Sequence, residues 1–437
     1  MPISGNGANA NNLDAAFKQF YADGIEDLCF TDRPLFGLMP KMEGWEGANQ
    51  ATRAWHIPLK FARPPAISAN FSVAQNRAAN VSSKVVAWEL LTAPMFAFIQ
   101  IDNESMLRSE GNEGAFVEIK SLEVDGIIEN LSNRLHHYMY GDGTGVIAQV
   151  GNSTQMPSFS VSTCYLLNSE DAVKISPGDE LTLAATPTGT ELAFGTNNHG
   201  LYVIGVNMDA GTFTVGTLAG VACNLNDAAD GIPTIATSGY ICHRGDRGAV
   251  MAGFQQWIPN FATGIATNDS LFNVNRSQLV DFLAGSRFDS SSYPIEEGLV
   301  RGTNVVAKKG GKIEQLFVNH KHYSDLVTSL SAKGIVNFLD IRPTDMPNIG
   351  FEGVKIIGAK GEVDVIPDYA CPSTLAAGFR LSEWYLGSIG DPVRVNNADG
   401  LEFLRLASAN GLEGRFVSYS NMVPRNPRDA INLTLPM

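Results

Sequence analysis

Apolar residues between 112 and 140 recur at helical spacing and predict one long amphipathic helix. Successive spacings of seven, four, three, four and three residues place on one face Val117, Val124, Ile128, Leu131, Leu135 and Tyr138. Asn112 is suited to cap this helix, and Gly141 ends it. The glycine-rich block Gly141–Gly151 closes a helix, whereas a phosphate-binding loop follows a strand and opens a helix. We therefore expect a helix stop and a tight turn there.

The segment 54–103 shows the alternating pattern of strands. Four apolar residues occupy every second position of its first part, namely Trp55, Ile57, Leu59 and Phe61, and a second strand-like run covers Lys84–Asp102. The pattern predicts a long hairpin with an extended tip of about twenty residues, broken by prolines. A two-stranded ribbon is marginally stable by itself, so we expect this hairpin to lie on something outside its own domain.

The rest of the chain divides into an arm, a β-rich segment, a mixed segment and a strand-rich tail. Residues 1–16 predict a flexible arm, and 13–30 a short amphipathic helix that includes Phe17 and Phe20. Short strand-like runs over 160–250, Val173–Ser176 among them, predict a small inserted barrel or sandwich. The mixed segment 251–384 predicts helices at Asn275–Leu283 and His322–Ser331, and strands at Lys312–Val318, Val354–Ile357 and Glu362–Ile366.

Composition adds a hint about surroundings. The chain is 44% hydrophobic, enough for a large core, but only 17% of its residues are charged. Ordinary soluble proteins carry about 25% charged residues, and interface cores are depleted in charge, so we expect much of the surface to contact other subunits. The net charge of −14 argues against a protein that grips nucleic acid with a basic face.

The N-terminus lacks a basic segment and an apolar segment, so no secretory signal is predicted. The longest apolar run, Leu90–Ile101, is interrupted by polar residues and is too short to span a bilayer. We therefore expect a protein that is made in a cytoplasm and does not cross a membrane.

Candidate chemistry is sparse. The five cysteines form no CxxC pair, which argues against a zinc ribbon, and their number argues against a disulfide framework. His136 and His137 are neighbours on a helix and diverge by about 100°, so they cannot share a metal ion. His320 and His322 have strand spacing and form only a weak pair. The tripeptide Arg244-Gly245-Asp246 predicts a turn. We expect no catalytic, cofactor or metal site.

The order of these elements resembles that of the major capsid proteins of tailed bacteriophages, which have the HK97 fold. Leu135–Ile147 (LHHYMYGDGTGVI) is similar to the exit of the family's spine helix. Ser72–Arg77 (SVAQNR) and the strand Trp88–Gln100 are similar to its E-loop. Asp391–Leu406 and Asn421–Pro424 are similar to its closing strands. The resemblance covers roughly residues 13–150 and 250–437, and the order of elements supports it more than any single motif.

The resemblance implies an α+β, HK97-like capsid fold with an inserted small all-β domain. The implied parts are an N-terminal arm and short helix (1–53), an E-loop hairpin (54–105), a P-domain with the spine helix (106–150), the inserted β-rich domain (160–247), an A-domain (248–384), P-domain return strands (385–420) and a C-terminal A-domain strand (421–437). The insertion departs from the minimal fold.

The same resemblance implies a structural protein with no catalytic activity. It would assemble with copies of itself into hexamers and pentamers of an icosahedral virion shell around double-stranded DNA, without sequence-specific binding. Implied partners are a separate scaffolding protein, a portal protein and decoration proteins; only about 50 residues precede the hairpin, which leaves no room for a fused scaffold. Predicted subunit contacts are the arm (Phe17, Phe20), the hairpin tip (Phe71, Arg77, Trp88) and the P-domain strands (Arg394, Arg405).

Three alternatives stay open at this point. An encapsulin-like cargo compartment would share the fold. A phage tail or fibre subunit would leave the long helix unexplained. A secreted β-rich hydrolase would use 160–250 as a carbohydrate-binding module and would need a pair of carboxylates in a cleft.

Overall fold

A computed structural model describes residues 32–43, 55–104, 119–151, 163–191, 201–216, 239–332, 354–396, 400–401, 403–406 and 409–436. The predicted N-terminal arm and first helix, with Phe17 and Phe20, lie outside the described residues, as does the predicted start of the long helix at Asn112. No helix in the described ranges is both long and apolar enough to cross a membrane. The domain boundaries given above stay predictions.

The described helices are α1 (Pro34–Leu38), α2 (Phe71–Asn80), α3 (Ile119–Tyr140), α4 (Phe254–Trp257), α5 (Val280–Leu283), α6 (Ile295–Lys308) and α7 (His320–Ala332). The strands of the first half are β1 (Lys41–Glu43), β2 (Trp55–Ala62), β3 (Lys84–Leu90), β4 (Ala93–Asp102), β5 (Val146–Gln149), β6 (Thr163–Tyr165), β7 (Glu180–Ala184), β8 (Leu201–Asn207), β9 (Thr212–Gly216) and β10 (Tyr240–His243).

The second half adds β11 (Ser270–Leu271), β12 (Val274–Asn275), β13 (Ser286–Asp289), β14 (Gln315–Val318), β15 (Val354–Gly358), β16 (Gly361–Pro367), β17 (Leu375–Phe379), β18 (Trp384–Ser388), β19 (Arg394–Val395), β20 (Phe403–Arg405), β21 (Gly411–Pro424) and β22 (Ala430–Thr434).

The predicted hairpin exists, but its second strand is shorter than expected. β2 and β3 pair antiparallel from Trp55 opposite Leu90 to Ala62 opposite Lys84. The prediction of one strand over Lys84–Asp102 is wrong, because the chain turns at Leu91 and β4 pairs with ten residues of β21 instead. The Asn421 side chain donates a hydrogen bond of 2.7 Å to the Leu91 carbonyl at this turn. A neighbour distant in sequence therefore ends the strand.

The first large sheet carries the long helix on one face. Its strands run β1-β18-β21-β19, and β4 and β20 also pair with β21. Along β4 the buried residues Met95, Ile99 and Ile101 alternate with exposed positions, and α3 packs on this strand. α3 ends at Tyr140, as predicted, and Gly143 and Gly145 follow it with φ of 78° and 82°. The turn therefore needs glycine at those two positions.

The second sheet closes into a small barrel. Its strand order is β5-β10-β7-β8-β9-β6, and a bridge between Val150 and Leu166 joins the two ends. Two backbone hydrogen bonds flank this bridge, from Gly151 N to the Tyr165 carbonyl (2.9 Å) and from Leu167 N to the Gln149 carbonyl (2.8 Å). Closure leaves no free edge among the six described strands of this sheet.

All six barrel strands contribute buried apolar side chains: Ile147, Cys164, Leu181, Leu183, Leu201, Val203, Phe213, Val215 and Ile241. The predicted barrel or sandwich is thus a barrel. The predicted strand at Val173–Ser176 is wrong, because Ser169–Lys174 forms a 3₁₀ helix with Ala172 buried beneath it.

The third sheet has the order β13-β22-β17-β14-β16-β15, with α6 on β22 and α7 on β16. The strands predicted between 312 and 366 and the helix predicted over His322–Ser331 are confirmed to within a few residues. The helix predicted over Asn275–Leu283 is wrong, since Leu279 (φ −153°, ψ 75°) separates a 3₁₀ turn from the short α5. His320 and His322 lie on α7, so the expected strand spacing is also wrong.

Candidate subunit-contact surface

The tip of the hairpin, residues 63–83, projects from the molecule with large apolar side chains in solvent. Ile67 is 83% exposed and Phe71 81%, and Val73 and Val81 are also exposed. The segment 60–84, which contains the tip, carries four basic residues and no acidic residue, although the whole chain has a net charge of −14. The basic residues are Lys60, Arg63, Arg77 and Lys84. The tip is therefore both apolar and basic.

A helix forms within this tip where sequence reasoning expected an extended, proline-broken stretch. The Asn70 side-chain oxygen caps α2 by accepting hydrogen bonds from Ser72 N (3.0 Å) and Val73 N (3.4 Å). Arg77 reaches back and donates to the Ile67 carbonyl at 3.4 Å. No side chain of α2 is buried. A ten-residue helix is only marginally stable without tertiary support. We therefore expect α2 to be stabilised by contact with another surface.

The root of the hairpin is anchored in the core, and this corrects the placement of Trp88 at the tip. The Trp88 side chain is fully buried and meets the Trp257 ring edge to face, with ring centroids 4.9 Å apart. The neighbouring Glu89 N donates to the Phe272 carbonyl at 3.2 Å. Strand alternation indicates that Trp88 faces one side of the ribbon. It does not indicate that Trp257 packs on that side. Trp88 fixes the hairpin to its own chain and has no exposed surface for a second subunit.

A second exposed apolar surface lies on the face of β4 that points away from α3. Phe96 and Phe98 are each 55% exposed there, and Phe96 meets the Tyr419 ring edge to face. The Arg394 guanidinium stands 5.8 Å from the Tyr419 ring centroid, at the border of this sheet face. Arg405 is exposed on β20, which pairs with the far end of β21. Sequence analysis did not identify Phe96 and Phe98 as contact residues. The signal available for them was that they occupy alternate positions along a strand.

His136, the first histidine of the pair on α3, has a structural role. His136 Nε2 lies 2.9 Å from Asp368 Oδ2, and Tyr140 donates its hydroxyl to the same oxygen at 2.7 Å. Burial tends to raise the pKa of Asp368, but His136 and the hydrogen bonds from His136, Tyr140 and Ala370 N outweigh it and lower that pKa. Asp368 follows β16, so this buried cluster ties the end of α3 to the third sheet.

The Arg-Gly-Asp tripeptide is not displayed for binding. Asp246 accepts a hydrogen bond of 2.5 Å from the Tyr138 hydroxyl and lies 3.7 Å from Arg134. Arg244 pairs with Glu180 on the neighbouring barrel strand. The carboxylate that an adhesion motif would present is therefore engaged inside the molecule, and the turn reading holds.

Within the described ranges, no group of three or more His, Cys, Asp or Glu side chains is arranged to hold a metal ion. The described cysteines, Cys164, Cys242 and Cys371, are free and buried. Burial raises the pKa of Cys164 to about 12 and, as the main cause, that of Cys242 to about 11, so these thiols are unreactive.

Comparison with known proteins gives matches by structure alone. No protein-family model matches the chain, and no curated protein matches its sequence. A chain of the cyanophage A-1(L) capsid matches over 98% of both chains with a TM-score of 0.52 and 9% identity. The capsid of an empty GTA particle matches over 98% of both chains with a TM-score of 0.48 and 8% identity.

The holo-SrpI encapsulin complex from Synechococcus elongatus PCC 7942 matches over 98% of this chain and 94% of its own, with a TM-score of 0.42 and 7% identity. Of these three, only the cyanophage chain is similar enough to support an argument about fold. The α+β capsid fold predicted from the order of elements is confirmed: this chain has the fold of the cyanophage A-1(L) capsid chain.

Proposed function

We propose that this chain is the major capsid protein of a tailed bacteriophage, a structural protein without a catalytic step. One observation carries the proposal: the cyanophage A-1(L) capsid fold extends over 98% of the chain. The apolar, basic tip of the hairpin supports it, because a heterologous contact joins two different surface patches and the exposed tip offers one of them. Hexamers and pentamers of an icosahedral shell are the assemblies that we infer.

The proposal assigns the contacts between copies to two surfaces. The tip of the hairpin offers Phe71 and Arg77 to a neighbouring subunit, and the outer face of the first sheet, with Arg394 at its border, is the second surface. Exposed apolar patches of this kind mark interaction sites in soluble proteins. The arm residues Phe17 and Phe20 stay predicted contacts, and Arg405 is proposed for the end of the sheet.

The proposal extends to partners that the shell would need. We infer a separate scaffolding protein during assembly in the bacterial cytoplasm, a portal protein, decoration proteins and packaged double-stranded DNA. The charge of −14 favours a container for DNA, because an acidic wall does not retain the phosphates that must enter and leave.

Negative-stain electron microscopy of the purified full chain, alone and with lysate of its host, tests the proposal. Closed polyhedral shells, or hexameric and pentameric rings, are expected. A dispersed 46.9 kDa monomer in both conditions would overturn the capsid function. Particles that enclose a copurified enzyme and no DNA would favour the encapsulin-like compartment instead.

A pair of variants on α2 tests whether the tip of the hairpin contacts a neighbouring subunit. Phe71→Ser should abolish shells and leave folded subunits, because the side chain is 81% exposed and contributes nothing to its own core. Ala79→Ser, on the same exposed helix, is the matched control and should assemble as the unmodified chain does. Normal shells from Phe71→Ser would remove the tip from the set of contacts.

A further inference from the structure

The junction between α3 and the barrel contains a half-buried histidine, His137, and a buried one, His243, that the capsid function does not use. His137 on α3 and His243 at the end of β10 face a polar cavity of about 50 Å³. Arg134 and Lys174 line the same cavity. The two imidazoles therefore lie where the barrel contacts the long helix.

The Nδ1 atom of neither imidazole has a protein partner among the described residues. These two atoms, in His137 and His243, are both buried. His243 is only 4% exposed. Buried polar atoms are nearly always paired. Two buried nitrogen atoms without a protein partner beside one cavity therefore set this junction apart.

Arg134 forms the main link across this junction. It projects from α3 and contacts two carboxylates of the barrel, Asp179 at 3.1 Å and Asp246 at 3.7 Å. Asp246 also accepts the Tyr138 hydroxyl. The guanidinium therefore lies between these two carboxylates.

The nearby acidic groups already have other partners. On the barrel, Asp171 pairs with Lys174 at 2.7 Å. On the side of the third sheet, Asp368 pairs with His136, and the Tyr369 ring packs against the His137 ring. A proton added to His137 or His243 would therefore lie beside Arg134 and Lys174, and Asp179, the carboxylate that lines the same cavity, is already paired with Arg134.

The pKa directions agree with this geometry. Burial first, and then His136, Lys174 and Arg134, hold the pKa of His137 well below its ordinary 6.5, although Asp368 acts in the opposite direction. Burial, Arg134 and His137 likewise lower the pKa of His243. Both imidazoles are neutral in the closed junction and would take up protons in an open one. The closed form is therefore fully favoured above about pH 6.5 and loses stability as the pH falls below it.

We propose that the barrel is held on the long helix by an acid-sensitive latch, in which protonation of His137 and His243 separates the barrel from α3. Compared with its value well above pH 6.5, the opening constant at pH 5 is raised about 30-fold by each imidazole that is neutral when closed and ordinary when open. Burial raises the pKa of Asp179 and of Asp246, and their titration acts in the opposite direction. These carboxylates are unchanged in the variants below, so the variants isolate the imidazoles.

Hydrogen exchange of the full chain, followed by mass spectrometry at about pH 7 and pH 5 and corrected for intrinsic exchange, tests the latch. Protection of β7 and β10 should fall by about 30-fold or more at the lower pH, and that of β14, in the third sheet, should not. The double variant His137→Gln/His243→Gln should lose this pH dependence. His320→Gln, at the exposed start of α7, is the control and should retain it.

A barrel in the wild-type chain that is protected equally at both pH values overturns the proposal, even where the double variant does not fold. A double variant that folds and keeps the full pH dependence overturns it as well, because the proton-binding groups would then lie elsewhere. The latch does not depend on shell assembly, so its failure would leave the proposed capsid function untouched.

Discussion

The effect of Trp88 substitutions on the free energy of unfolding tests whether this residue belongs to the core or to a subunit contact. Its side chain is fully buried at the root of the hairpin and contacts Trp257. Truncation of a buried tryptophan to alanine typically costs about 3–5 kcal/mol. A domain is stable by only about 5–15 kcal/mol, so Trp88→Ala should remove a large part of the free energy of unfolding.

Trp88→Phe separates the packing of the ring from its polar atom. The Trp88 indole nitrogen has no hydrogen-bond partner among the described residues, so phenylalanine leaves no orphaned acceptor behind. We expect the loss for Trp88→Phe to be about 1 kcal/mol, well under that for alanine, because most of the buried aromatic area remains. Both losses are measured by urea unfolding followed by far-ultraviolet circular dichroism.

Phe71→Ala is the matched control for this series. Its ring is 81% exposed, and substitutions at such positions usually change the free energy of unfolding by no more than about 0.5 kcal/mol. A loss of less than about 1 kcal/mol for Trp88→Ala, or a similar loss for Phe71→Ala, would refute the assignment of core to one and surface to the other.

Two further perturbations follow from the packing. A Cβ at Gly387 in β18 would overlap the Trp55 ring, so Gly387→Ala should destabilise the chain by about 3 kcal/mol, whereas Gly126→Ala in α3, which has open space, should stabilise it by about 0.5–1 kcal/mol; thermal unfolding with equal shifts for both would contradict this. Asp368→Asn removes the buried carboxylate that contacts His136 and accepts the Tyr140 hydroxyl, and it should cost about 1–3 kcal/mol near neutral pH. Because the folded pKa of Asp368 is below its ordinary 3.8, this difference should shrink in urea titrations as the pH falls below that value, and a constant difference would argue against the pair.

Local periodicity was sufficient where an element's own pattern fixes its structure. The apolar spacing in α3 and the stop at Gly141 are examples, as is the alternation of β2 and β3. It failed where a distant neighbour decides. The break at Leu91 depends on Asn421, and the position of Trp88 depends on Trp257, and neither partner can be read from the hairpin's own sequence.

The barrel illustrates the same limit at a larger scale. Short strand-like runs predicted a small β-domain, but closure rests on one bridge between Val150 and Leu166, on either side of the predicted start of the insertion. The latch residues are further from prediction. His137 is one of a pair on a helix and His243 follows a cysteine, and only the packing of the barrel against α3 brings the two to one cavity.

Net charge was the least informative quantity about the contact surface. A chain at −14 argues against a basic face, yet the segment 60–84, which contains its most exposed apolar side chains, carries four basic residues and no acidic one. The sum conceals this because the remaining acidic residues are spread over the rest of the molecule. Attraction between surfaces follows local potential rather than total charge, so under the proposed capsid function an acidic body with a basic hairpin tip would repel DNA and still attract a second copy of itself.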